Sequence, residues 1–251
     1  MNIENKRVIV VGASKGMGRG IAIALAERGA SVLAIARGGD ALKALALEHK
    51  VDVCAGDAAD ASFVAHTLAR EEPDAVVVVA GVAPVMRPIH EYRWESFSEI
   101  WNNDVKATFL WLQDLVTKPM RDGGRVIVFS SGAAIHGSPL SGGYAPAKQA
   151  QRYLCDYART ELERMKRNIR VQTILPQLNP NTELGRAGVA GYAKRSGEDP
   201  DTFVKKRFGA EPLSPRIAGA EMLRLLSDDA LRAADEFMLG GEGLKAIEKK
   251  A

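Results

Sequence analysis

The sequence predicts a single doubly wound α/β domain of about seven parallel strands with helices on both faces, and three observations predict it. Short β-branched runs alternate with helix-period stretches along the whole chain. The run Val76-Val77-Val78-Val79 has no polar alternation, the pattern of a strand covered on both faces. A glycine-rich turn at 12–18 separates the first strand from the first helix. With 251 residues, one such domain over 1–251 fits and two full-sized ones do not.

The elements follow in chain order. Residues 7–11 form a strand, the glycine turn leads into a helix through Ile21, Ala24 and Leu25, and Gly29 ends it. Strands at 31–36 and 51–55 flank a helix at 40–48 with Asp40 as its cap. A crossover helix at 60–70 precedes a strand at 75–80. A long helix at 96–118 carries apolar Ile100, Ala107, Trp111 and Leu115, and a strand follows at 125–129. A second long helix at 144–167 leads to a strand at 169–175. Prolines and glycines give 179–213 a different texture, read as a partly helical substrate lid too small to hold its own core. Ser214 caps a helix at 214–226 with Pro215 at its first position, and 236–239 is the last strand. In such sheets ligands bind beyond the carboxyl ends of the strands, so the loops after Val11, Ala36, Ala80, Phe129 and Leu175 converge on one site.

Hydrophobic residues at 46% and charged residues at 26% exclude a disordered or collagen-like chain. The net charge of +3 comes with no basic tract or aromatic-basic stripe, so no nucleic-acid partner is expected. No apolar run approaches the roughly 18 residues of a membrane span. The strand opening at Arg7 leaves no room for a secretory leader, and a cytoplasmic protein is expected. Cys54 and Cys155 lie outside any metal-ligand spacing and read as apolar core residues. His49, His66 and His90 have no clustered partners, so no metal is expected.

The turn Gly12-Ala13-Ser14-Lys15-Gly16-Met17-Gly18 offers a bend free of Cβ clashes and backbone N–H groups facing a pyrophosphate. Its GxxxGxG spacing differs from GxGxxG, and no GKS or GKT follows as a P-loop requires. An NAD site commonly carries an acid at the end of the second strand. Here Ala36 is followed by Arg37, with Lys15 in the turn, and two cations suit a ribose 2′-phosphate. NADP(H) is the expected cofactor. Asp57 either accepts from the adenine amino group or caps its own turn.

Tyr144 and Lys148, four apart in a helix, share a face. An ammonium beside a phenol favours the phenolate, and a phenol so tuned gives a proton to a carbonyl oxygen or takes one from an alcohol. Ser131, just past a strand, is placed to hold the substrate oxygen.

With these residues the chain resembles the short-chain dehydrogenase/reductase (SDR) family over nearly its whole length. The family's nucleotide turn corresponds to Gly12, Gly16 and Gly18, its catalytic serine to Ser131, and its YxxxK to Tyr144 and Lys148. The resemblance implies a Rossmann-like domain and selection of NADP(H) by Lys15 and Arg37. It implies further cofactor contacts from Ser14, Met17, Ala80, Gly81, Tyr144, Lys148, Pro176 and Thr182. It also implies homodimers or homotetramers formed through the helices at 96–118 and 144–167. The sequence departs from the family in three places. NNAG is Val78-Val79-Ala80-Gly81, and Pro-Gly is Pro176-Gln177, with the usual threonine falling on Asn181 and Thr182 next to it. The family's fourth catalytic residue, an asparagine that helps hold a relay water, aligns with Asp104. Asp104 would accept from such a water and stabilise the Lys148 ammonium, while a one-residue adjustment would bring Asn103 inward instead.

The substrate pocket is expected between the loop after Gly81, the turn at 136–143 and the lid. Its expected lining is Val85, Met86, Ile135, Leu140 and Leu178, with His136 and Gln177 as polar contributors. The expected reaction is reversible, NADP(H)-dependent reduction of a mainly apolar ketone, such as a 3-oxoacyl thioester, to a secondary alcohol. The alternative is a catalytically weak dinucleotide sensor or scaffold, favoured by the three departures and opposed by the intact Ser131–Tyr144–Lys148 set.

Overall fold

Strands that are apolar on both faces need helices above and below them. The computed structural model, which describes residues 2–118, 120–208 and 212–248, has that arrangement. In its first half β1 (Arg7–Val11), α1 (Gly16–Glu27), β2 (Ser31–Ala36), α2 (Gly39–Glu48), β3 (Val51–Ala55), α3 (Ala61–Glu71) and β4 (Ala75–Val78) alternate strictly. The second half holds α4 (Trp94–Ile100), α5 (Lys106–Thr117), β5 (Arg125–Phe129), α6 (Ala133–His136), α7 (Tyr144–Arg164) and β6 (Arg170–Pro176). It closes with α8 (Glu183–Ser196), α9 (Pro200–Phe208), α10 (Pro215–Ser227), β7 (Glu236–Gly240) and β8 (Gly243–Ala246). The sheet runs β3-β2-β1-β4-β5-β6-β7-β8. Its strands pair parallel from β3 to β7, and β8 pairs antiparallel with β7. This is a Rossmann-like α/β domain. The strand order changes direction between β1 and β4, where Val11 lies beside Val78, and the crevice above that point is the expected ligand position.

Alternate strand residues feed two cores. Val8, Val10, Ala34 and Val77 pack with Ile21, Leu25 and Met222 of α1 and α10. Ile9, Val11, Val76 and Val126 pack with Val64, Trp111 and Cys155 of α3, α5 and α7. Burial pushes the Cys155 thiol up to about 11, whereas Cys54 on β3 is only half-buried. Asp60 caps α3 by accepting from the Phe63 N–H at 2.7 Å, and Ser214 caps α10 through Ile217 at 3.2 Å.

The structure departs from the expected elements in four places. An eighth strand, β8, joins β7 across a tight hairpin in which Gly240 pairs with Gly243; its four residues are too few to show a period. The α2 helix begins at Gly39 after an N-cap at Gly38, so Asp40 lies inside the first turn and caps nothing. The helix expected at 96–118 starts at Trp94 and is interrupted by a π-helical turn, Trp101–Val105, before α5. Finally, β4 stops at Val78, and Val79 and Ala80 leave the sheet towards the crevice. The expected lid is partly helical through α8 and α9, and its residues 209–211 lie outside the described residues. Among the described residues, no helix is long and apolar enough to cross a membrane, and no group of three or more His, Cys, Asp or Glu side chains gathers as a metal site.

Candidate active site

The glycine turn closes because of what glycine lacks. Gly12 has φ +94°, and a Cβ there would lie 2.6 Å from the Ala80 nitrogen; one on Gly18 would lie 2.1 Å from the Gly12 carbonyl oxygen. The Gly12 and Ala13 N–H groups donate to the Ile35 carbonyl at 2.8 and 3.0 Å, pinning the turn to β2. The N-terminus of α1 has no side-chain cap. Beyond it lies a cavity of about 1280 Å³, larger than the roughly 300–1,000 Å³ of an ordinary small-molecule site. Its lining includes Gly12, Ser14, Lys15, Gly16, Met17, Gly18, Arg37, Asp57, Ala80 and Gly81 together with Asp104, Ser131, Tyr144, Lys148, Pro176 and Thr182. Thr182 lies beside the turn, where a Cβ on Gly16 would come within 3.5 Å of its methyl. An uncapped helix N-terminus behind a glycine-rich cradle, with cations at its rim, fits a dinucleotide.

At that rim, Lys15 forms an ion pair with Glu183, the first residue of α8. The hydrogen bond from Lys15, and then its charge, hold the Glu183 carboxyl below its usual range. Arg37 is exposed and donates to Asn103 Oδ1 at 3.5 Å. Asp57 caps its own turn, its Oδ1 accepting from the Ala59 N–H at 2.9 Å, while also lining the cavity. The Thr182 hydroxyl is occupied as the α8 cap. It accepts from the Gly185 N–H at 3.1 Å and donates to the Asn179 carbonyl at 2.9 Å.

Deeper in, Tyr144 and Lys148 stand one turn apart at the start of α7, with Lys148 Nζ 5.4 Å from the centre of the Tyr144 ring. Ser130 donates to the Lys148 carbonyl at 2.7 Å and ties α7 to the end of β5; next to it Ser131 Oγ accepts from the Ala133 N–H at 3.2 Å. The π-helical turn directs Asp104 inward and leaves Asn103 at the rim, the kind of local bulge found at functional sites. Asp104 Oδ2 lies 2.8 Å from Lys148 Nζ, and Oδ1 accepts from the Val82 N–H at 2.9 Å. Gln151 of α7 braces the turn by donating to the Asp104 carbonyl at 3.2 Å and to Thr108 Oγ1 at 2.5 Å. Gly81 leaves room for this arrangement, since a Cβ there would come within 2.8 Å of Asp104 Oδ2. Burial opposes the charged form of Lys148, but the Asp104 charge, reinforced by Tyr144, outweighs it and raises the ammonium's pKa.

Of the expected pocket residues, Met86, His136, Gln177 and Leu178 line the cavity, and Leu140, Val85 and Ile135 do not. Leu140 is buried; its carbonyl accepts from the Arg87 N–H and the Tyr92 hydroxyl, which fixes the backbone and keeps the side chain out of the cavity. Val85 and Ile135 point to solvent. Helices α8 and α9 contribute Arg186, Tyr192, Phe203 and Arg207, which sequence reasoning missed. Tyr192 reaches the 136–143 turn through a 2.6 Å hydrogen bond with Ser138; lid composition alone carries no signal for that contact. Where the family has amides, Val78 packs on one core and Val79 on the other.

A family model described as short chain dehydrogenase matches residues 6–188. An uncharacterized oxidoreductase of Listeria monocytogenes is 27% identical over 230 residues, which cover 84% of this chain and 88% of the relative. Among solved structures, an NAD+-bound xylitol dehydrogenase has a TM-score of 0.83 at 22% identity, with 96% of this chain and 100% of that one covered. An alcohol dehydrogenase from the archaeon Thermococcus sibiricus, complexed with 5-hydroxy-NADP, has a TM-score of 0.75 at 25% identity, with 97% and 99% covered.

Proposed function

Because the chain belongs to the short-chain dehydrogenase family, oxidoreductases built around a dinucleotide site, we propose that it interconverts a mainly apolar ketone and its secondary alcohol using NADP(H). The observation that carries this reading is that Ser131, Tyr144 and Lys148 line the same cavity as the glycine turn. When bound, the dinucleotide supplies or accepts hydride at the substrate carbon. The backbone of 12–18 and the α1 N-terminus hold its pyrophosphate, and Arg37 with Lys15 takes the 2′-phosphate. The two solved relatives carry an NAD and an NADP form, so the choice of NADP(H) rests on these two cations and on the absence of an acid directly after β2.

In reduction, the Ser131 hydroxyl donates to the carbonyl oxygen and Tyr144 gives that oxygen its proton; in oxidation Tyr144 takes the proton back. The Lys148 ammonium favours the phenolate left behind. Asp104 is a positioning residue that keeps Lys148 charged and in place. Exposed Phe109 of α5 and Tyr153 and Tyr157 of α7 give these helices the apolar faces through which a dimer or tetramer would form.

The test follows NADPH absorbance across a panel of ketones. Tyr144→Phe is expected to lower kcat/KM by about 10²- to 10⁴-fold, a far larger loss than any it causes in NADPH affinity. Tight NADPH binding with no turnover on any carbonyl would favour the sensor reading instead.

A further inference from the structure

The cation that a 2′-phosphate would use in the glycine turn already has a partner. Lys15 is paired with Glu183, 168 residues away in sequence, so the pair links the cofactor turn to the first residue of the lid helix α8. Both side chains are largely in water. Glu183 does not depend on Lys15 alone. It sits at a helix N-terminus, where backbone dipoles favour a carboxylate, and Arg186 adds a further positive field. The carboxylate can therefore release Lys15 and remain supported.

Resting on the NADP(H) reading, we propose that Glu183 is a specificity-determining residue: an intramolecular competitor for Lys15 that the 2′-phosphate must displace. NADPH binding then separates the lid helix from the glycine turn at this point, whereas NADH, which has no 2′-phosphate, leaves the pair in place. Competition of this kind weakens NADPH binding and leaves NADH binding alone.

The experiment measures Kd for NADPH and NADH, by cofactor fluorescence at low salt, on the full-length chain and on Glu183→Gln, Lys15→Gln and the double variant. Glu183→Gln is expected to tighten NADPH about three- to five-fold, the scale of an exposed ion pair, and to change NADH less than about two-fold. In the Lys15→Gln background the gain should vanish. Equal changes for both cofactors, no change for either, or a gain that persists without Lys15 would each overturn the proposal. The underlying reading is tested separately. If Lys15→Gln and Arg37→Gln leave the NADPH-to-NADH ratio unaltered, NADP(H) selection itself fails and takes this inference with it. A chain that prefers NADPH yet ignores Glu183 loses only the competition.

Discussion

Two lysine–carboxylate pairs stand in one cleft and differ in little but their surroundings. The Lys148 and Asp104 side chains are 5% and 0% exposed, whereas those of Lys15 and Glu183 are 75% and 69% exposed. In low dielectric an ion pair gains little over a well-packed apolar pair, yet losing one partner strands a charge; in water a pair is weak and exchangeable. The floor of the cleft thus has reason to keep a fixed charge beside Tyr144, and the rim is built to trade partners with an incoming phosphate.

The largest expected effect breaks the buried pair. Lys148→Met leaves Asp104 with only the Val82 N–H and should cost about 3–5 kcal/mol in urea unfolding. Adding Asp104→Leu should restore most of that loss, and Lys15→Met should leave the unfolding midpoint where it was. The pH dependence follows from the raised Lys148 value. A cation whose folded-state pKa is raised contributes in full below its unfolded value of 10.5 and loses that contribution as pH rises through the folded value. The parent's stability advantage over Lys148→Met should therefore be present at neutral pH and shrink in alkali above that point. An advantage that persists undiminished in strong alkali would contradict the assigned pairing.

Next in size is the rim's other cation. Arg37→Gln should weaken NADPH about ten-fold and leave NADH unchanged, the effect of one charge-assisted contact to phosphate. Equal losses for both cofactors would place Arg37 on a part of the dinucleotide that they share. Asp104→Asn is expected to act through charge alone. It removes the charge that outweighs burial at Lys148, so the ammonium's pKa should fall and the pH–rate profile for alcohol oxidation should move with it. A profile that overlays the parent in rate and midpoint would remove Asp104 from the proton chemistry.

The two pairs were not equally legible in the sequence. Lys148 could be placed beside Tyr144 because helical spacing puts positions four apart on one face, and the glycine turn could be placed because it follows a strand. That Asp104 faces Lys148 followed from the family resemblance and not from any local pattern. The π-helical turn decides between Asn103 and Asp104, and nothing in Trp101-Asn102-Asn103-Asp104-Val105 marks one. Glu183 was invisible as a partner, since its approach to Lys15 depends on where the lid folds. Asp40 and Leu140 were misplaced for a related reason. A helix that starts one residue early, or a loop held by its carbonyl, redirects a side chain without changing its chemistry.

The smallest expected effect sharpens the contrast most, because it uses salt and not a new side chain. Raising ionic strength from about 0.01 M to about 1 M shortens the screening length from about 30 Å to about 3 Å. Water and ions reach Lys15 and Glu183, so the gain in NADPH affinity from Glu183→Gln should fade as salt rises. The buried Lys148–Asp104 pair is screened far less, so the stability lost in Lys148→Met should change little between the two ends of the titration. If both effects faded together, the buried pair would be open to solvent and the division into a fixed floor and an exchangeable rim would fail. If neither faded, Glu183 would be acting through the lid backbone and not through its charge.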